Sequence, residues 1–258
     1  MNRLSVFALL FAVAPALSHA GEASRKIKVV LYDDKGSAGE GVPRITAQLA
    51  VVPDVELVKL NAEQIRTVDW SDAKVIIFSG GSGSAQSKNL QDAGLEKVRT
   101  FVEKGGGYIG ICAGAYLACG GFSWGVKVLD AKTVSPKYNR GKAQVEVEFT
   151  AKGQEITGLK AESKVNMLYA NGPIYCPAKM DAIPDFEPLA FYRTEIAENG
   201  TPAGIMVNSP AMVAGQFGKG RVLCSSPHPE QTKGMEQWIG KAVRWAAGDS
   251  AAVVPAAK

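Results

Sequence analysis

Tyr108-Ile-Gly-Ile-Cys112-Ala-Gly-Ala-Tyr-Leu-Ala118 holds a strand, a sharp turn and a helix in a few residues. Tyr108 to Ile111 is a short apolar run of the kind a buried strand makes, and Ala113 to Ala118 continues as a helix. Gly110 and Gly114 stand on either side of the cysteine. A strand turning this abruptly into a helix brings neighbouring backbone close, and glycine removes the Cβ that would collide. The thiol at the apex then sits at a helix N-terminus, where unpaired N–H groups and the dipole favour thiolate.

The same alternation runs outward on the N-terminal side. Ile27 to Tyr32 reads as a first strand, Pro43 to Val52 as a helix with proline at its opening, and Val55 to Leu60 as a second strand. Ala73 to Phe78 is a buried central strand, stopped by Ser79-Gly80-Gly81-Ser82-Gly83-Ser84. Leu95, Val98 and Phe101 recur at helical spacing, and Lys104-Gly105-Gly106-Gly107 ends that helix. Strands alternating with helices imply an α/β fold, a mostly parallel sheet with helices on both faces.

The pattern changes after the cysteine helix. Gln144 to Phe149 alternates strictly, as a half-exposed antiparallel strand does. Val165 to Tyr175, Pro188 to Arg193 and Ala203 to Val207 read as further strands, and Met212 to Phe217 with Arg221 to Cys224 as a hairpin. Together these predict an antiparallel β extension. Gly234 to Ala247 has the spacing of a closing helix, and 248–258 reads as a flexible tail.

Composition narrows the class. Arg3, the apolar stretch Leu4 to Leu17 and Ser18-His19-Ala20 form a secretory signal over residues 1–20, which predicts a periplasmic or secreted protein whose domain covers 21–247. The stretch is shorter than the roughly 20 residues of a spanning helix, so stable membrane insertion after cleavage is not expected. Without Arg3, 28 basic residues face 25 acidic ones, spread with no run of like charge. That is no nucleic-acid footprint. One histidine outside the leader and scattered cysteines give no zinc spacing, and no metal or cofactor is expected. Four cysteines in an exported chain suggest pairing; with Cys112 free, a Cys119–Cys176 bridge is the expectation and three buried thiols the alternative.

The one remaining histidine lies in Ser225-Ser-Pro-His228-Pro-Glu230. A neutral imidazole can take a proton from a thiol, and a carboxylate on its other nitrogen fixes tautomer and orientation. Cys112, His228 and Glu230 therefore supply the parts of a nucleophilic triad. The N–H groups of Ala113 and of Gly81 or Gly80 are the expected oxyanion donors. Asp33, Asp34 and Glu40, in the loop after the first strand, are weaker candidates for substrate contact.

Gly110-Ile-Cys112-Ala-Gly114 after a strand, Ser79-Gly80-Gly81 one unit earlier and His228-Pro-Glu230 near the C-terminus resemble class I glutamine amidotransferases. Ile111 to Ala118 with Tyr116, Ala170-Asn171-Gly172-Pro173 and the closing Ser-Ser-Pro-His-Pro-Glu resemble more narrowly the N-terminal domain of biotin-protein ligases, also found as a stand-alone protein. The resemblance implies a flavodoxin-like sheet, Cys112 attacking an amide, His228 shuttling the proton and Glu230 orienting it. Tyr116, Asn171 and Gly172 are the substrate-binding candidates; Asn171-Gly172 and Tyr175 either line the pocket or simply make a turn. No synthase or ligase domain follows to accept ammonia, so the reaction expected is hydrolysis of an amide or γ-glutamyl-type bond through an acyl-enzyme. The substrate would be a small molecule or peptide amide. The alternative is a non-catalytic ligand- or partner-binding module, or a thiol redox sensor, on the same scaffold.

Overall fold

Every second residue of the central strands packs on the opposite side of one sheet. The computed structural model describes residues 26–159 and 164–248; the expected signal segment 1–20 and all but the first residue of the expected tail 248–258 lie outside them. In β1 (Ile27–Tyr32), Val29 and Leu31 join one core while Val30 and Tyr32 join the other. In β3 (Val75–Phe78) the same division separates Val75 and Ile77 from Ile76 and Phe78. This is the period-two geometry of a strand buried on both faces.

Beside β1 lies β2 (Val55–Leu60), and beside β3 lies β4 (Gly107–Ile111). α1 (Gly41–Ala50) covers the first face; α2 (Ala62–Thr67), α3 (Gly83–Glu103) and α4 (Ala113–Ala118) cover the second. After a small pairing strand, β5 (Ala131–Thr133), come β6 (Lys142–Phe149), α5 (Ala151–Thr157), β7 (Lys164–Ala170) and β8 (Tyr175–Pro177), the last pairing with β5. The chain closes with β9 (Glu187–Tyr192), β10 (Pro210–Phe217), β11 (Gly220–Ser225) and α6 (Trp238–Ala246).

The large sheet runs β2-β1-β3-β4-β11-β10-β9-β6-β7. Its first five strands are parallel and every pairing from β11 onward is antiparallel. The fold is thus a mostly parallel α/β sheet with helices on both faces and an antiparallel extension. Placing β11 directly beside β4 brings the end of the hairpin to the cysteine turn.

Local readings differ from expectation in a few places. Val165 to Tyr175 is not one strand: it ends at Ala170, where Asn171 takes φ 61 and turns the chain toward β8. Ala203 to Val207 is not a strand but a turn region. Gly204 and Asn208 have φ 77 and φ 65, and the Gly204 N–H donates to Glu195 Oε1 at 2.8 Å. The expected Cys119–Cys176 bridge is absent, since all four cysteines are free. The Cys119 thiol instead faces the Ala115 carbonyl of its own helix at 3.2 Å.

Candidate active site

Cys112 occupies φ 51, ψ −98, a conformation that costs a non-glycine residue on the order of 1–3 kcal/mol. The surrounding structure fixes it there. The Cys112 N–H donates to Ser225 O at 2.8 Å, and its carbonyl accepts from Ala115 and Tyr116 at 3.1 Å each, opening α4. Gly114 N–H reaches back to Ser79 O at 3.2 Å, while Tyr108 Oη donates to Gly114 O at 2.7 Å. A Cβ on Gly110 would lie 2.5 Å from Gly114 O, and one on Gly114 would collide with Phe78 O. Both glycines are sterically required.

His228 enters from the end of β11. Its N–H donates to Leu168 O at 2.7 Å and its carbonyl accepts from Thr232 Oγ1 at 2.7 Å, which holds the segment against β7. The ring stands against Gly80, where a Cβ would lie 2.7 Å from His228 Cε1. His228 Nδ1 is 2.8 Å from Glu230 Oε1, and the side chains are buried, 7% and 0% exposed. Cys112 acts on the same ring and favours its charged form. Burial works against a charged ring, but the influence of Cys112 and the bond to Glu230 outweigh it and push the imidazole up from 6.5 to about 10. Glu230 is anchored by Gln48 of α1, whose Nε2 donates to the Glu230 carbonyl at 3.0 Å. Burial pushes the Cys119 and Cys224 thiols well up, away from ionisation.

The expected oxyanion donors border this group. Gly81 has φ 135 and packs so tightly on Gly36 O that no side chain fits. A bridge from Ser37 to Gly81 pins that loop, with Ala38 N–H donating to Gly80 O at 3.0 Å and Ser82 N–H to Gly36 O at 2.8 Å. The N–H groups of Gly80, Gly81 and Ala113 have no acceptor among the described residues. Such free donors are what a developing oxyanion requires.

The Ala170–Gly172 turn lies over the thiol. Cys112 Sγ donates to Ala170 O at 3.3 Å, and Tyr116 Oη donates to Asn171 O at 3.2 Å. Asn171 Oδ1 accepts from Gly141 N–H at 2.7 Å, and Gly172 packs on Ser226 O with no room for a Cβ. Tyr116, Asn171 and Gly172 are therefore gathered around Cys112, which is 5% exposed. The loop acids have other work. Asp33 pairs with Lys59 at 3.1 Å, Asp34 accepts from Ala62 N–H at 3.0 Å, and Glu40 faces Arg44 at 3.8 Å. A groove of about 580 Å³ beside Asp33 and Val42 has neither Cys112 nor His228 in its lining.

Sequence reasoning missed Gln48 and Gln231. Gln231 Nε2 lies 2.9 Å from Glu230 Oε1 and 3.1 Å from His228 Nδ1. Its place directly after Glu230 was the available signal, but a lone amide in a turn is usually solvated. Among the described residues no group of three or more His, Cys, Asp or Glu gathers as metal ligands do, and no helix is long and apolar enough to cross a membrane.

This fold, with its cysteine elbow beside the C-terminal hairpin, is that of the class I glutamine amidotransferase-like proteins. Within that class, residues 27–246 match the model for the N-terminal region of biotin-protein ligase, and the chain belongs to that family. The structure is similar to a chain of PurLQS from Thermotoga maritima, with TM-score 0.59 and 16% identity, covering 87% of this chain and 98% of that one. It is similar as well to a glutamine amidotransferase crystal structure, with TM-score 0.56 and 18% identity, covering 86% and 99% of the two chains. An uncharacterized protein of Chlamydia muridarum is 28% identical over 102 residues, 38% of this chain and 39% of the relative.

Proposed function

We propose that this protein is an exported cysteine hydrolase that cleaves an amide or γ-glutamyl-type bond. The observation that supports the reading is the placement of His228, with Nδ1 2.8 Å from Glu230 Oε1 and its ring against Gly80, and with Cys112 acting on the same ring. In this scheme the Cys112 thiol passes its proton to His228 and the sulfur attacks the substrate carbonyl, the C–S bond forming as the carbonyl electrons move onto oxygen. Ala113 and Gly81, with Gly80 beside it, supply the N–H donors for that oxyanion. The imidazolium of His228 gives its proton to the leaving amine as the C–N bond breaks, leaving a thioester acyl-enzyme. Water then attacks the thioester, His228 takes its proton, and the sulfur leaves as thiolate. Glu230 keeps the imidazole oriented throughout. Tyr116, Asn171 and Gly172 would line the acyl group.

Two experiments test this. The first compares alkylation of Cys112 by iodoacetamide in the wild-type chain and in His228→Ala, with peptide mass spectrometry to separate Cys112 from the other thiols. Removing the cation beside the sulfur is expected to slow labelling at pH 7 by about tenfold or more. Hydrolysis of γ-glutamyl-p-nitroanilide, lost in Cys112→Ala, would complete the case; equal labelling in both proteins would sink it. The second concerns export. Expression with residues 1–20 intact should yield a periplasmic or secreted protein beginning at Gly21 by N-terminal sequencing, and a cytoplasmic product retaining Met1 would refute it.

One observation favours the rival reading, a module that binds a ligand or partner without turnover: the thiol is nearly closed off by the Ala170 carbonyl. Ligand binding that survives Cys112→Ala in the absence of hydrolysis would decide for it.

A further inference from the structure

Gln231 closes the short 3-10 turn Pro229–Gln231 and folds its amide back over the two residues just described. The contact to Glu230 Oε1, at 2.9 Å, settles which end of the amide faces inward. An amide oxygen there would set two acceptors against each other, whereas the NH2 donates. Glu230 Oε1 thus accepts from two groups, His228 Nδ1 at 2.8 Å and Gln231 Nε2 at 2.9 Å. The other carboxylate oxygen, Oε2, is buried and has no partner among the described residues. Rotation of the carboxylate would trade two donors for none, so Gln231 helps lock the oxygen that faces the imidazole.

The same amide has an electrostatic effect. Its N–H hydrogens draw down the charge on Glu230 Oε1, and they stand beside His228 Nδ1, 3.1 Å from the amide nitrogen, where they oppose a positive ring. The titratable groups acting on the ring are Cys112, from the turn between β4 and α4, and Glu230; the neighbours Gly80, Leu168 and Thr232 are neutral. Gln231 is the neutral group placed to moderate the pair.

Resting on the reading of Cys112 and His228 as nucleophile and proton shuttle, we propose that Gln231 is a positioning residue. It fixes the Glu230 carboxylate on His228 and weakens that carboxylate's hold on the imidazolium, so that the proton can pass to the leaving group.

The test is an NMR titration of the His228 ring in the full chain, in wild type, Gln231→Met and Gln231→Glu, with His228→Ala to assign the resonance. Met keeps the length and removes both donors; Glu keeps the shape and replaces them with acceptors. The protonation constant of His228 is expected to rise about three- to tenfold in Gln231→Met, and further in Gln231→Glu. A constant that is unchanged or lowered overturns the proposal. Circular dichroism checks the fold, and either folded variant suffices to decide. Alkylation of Cys112 in wild type and His228→Ala separates the two levels. Equal rates mean the thiol and imidazole are uncoupled and the underlying reading falls. Different rates alongside an unmoved titration in the Gln231 variants remove the role of Gln231 alone.

Discussion

Replacing Gly114 with alanine is expected to destabilise the protein by about 3 kcal/mol or more, lowering its thermal midpoint by roughly 6 °C at least. The added methyl would run into the Phe78 carbonyl and Cβ, inside the central sheet, where neither neighbour is the free end of a flexible side chain. Phe78 is wholly buried and stacks on Tyr32 and Tyr108 with ring centroids 5.1 and 5.5 Å apart, so β3 cannot simply withdraw. If α4 moves instead, the Gly114 N–H bond to Ser79 O lengthens and the strained Cys112 loses one of its restraints. Stability and thiol reactivity should therefore fall together. Gly200→Ala is the control: Gly200 has φ 68, but nothing lies within 4 Å of its missing Cβ. That change should cost only about 1 kcal/mol through backbone strain. Urea unfolding of the two variants compares collision with conformational strain, and equal losses would show that the close approach at Gly114 is not what the fold depends on.

That collision was readable in the sequence because a strand, a cysteine between glycines and a helix have few ways to connect. The parallel strands were legible for a similar reason: β2 runs from Val55 to Leu60 as its alternation predicts, and α4 from Ala113 to Ala118. α2 escaped notice although its capping box is written in Asn61 and Gln64, because six residues carry too little periodicity to stand out. The order of β9, β6 and β7 in the extension depends on pairings between distant segments, which no local pattern encodes. Ala203 to Val207 looked like a strand since apolar runs occur in turns that pack on neighbours. Here the Arg140 guanidinium, bonded to Pro202 O at 2.7 Å, and the Glu195 carboxylate on Gly204 N–H hold the segment in a turn. Cys112, His228 and Glu230 were singled out by residue type in a glycine-framed turn and a His-Pro-Glu spacing, whereas the Gln48 contact to the Glu230 carbonyl arises only from where the chain returns.

The imidazole of His228 is expected to keep its proton to about pH 10, against about 6.5 for an ordinary histidine. Burial by itself would push the other way, so the outcome measures how strongly Cys112 and Glu230 act on the ring. Glu230→Gln retains the shape of the side chain but removes its charge, and the protonation constant of His228 should fall at least tenfold. The same coupling reaches stability. Because the folded midpoint is raised, the imidazolium's contribution is present in full below about pH 6.5 and is lost as pH rises toward 10. Buried tyrosine and cysteine hydroxyls and thiols also weaken the fold as the solution becomes alkaline, since burial raises them too. The informative quantity is therefore the difference between wild type and Glu230→Gln. Urea midpoints measured at pH 6 and pH 9.5 (roughly the two ends of that window) should differ less in the variant. A wild-type ring titrating near 6.5, with parallel stability profiles in the two proteins, would mean that thiol and imidazole meet as neutral groups. His228 would then have to act first as a base at neutral pH, taking the thiol proton during attack, and Glu230 would serve to aim the ring without holding its charge.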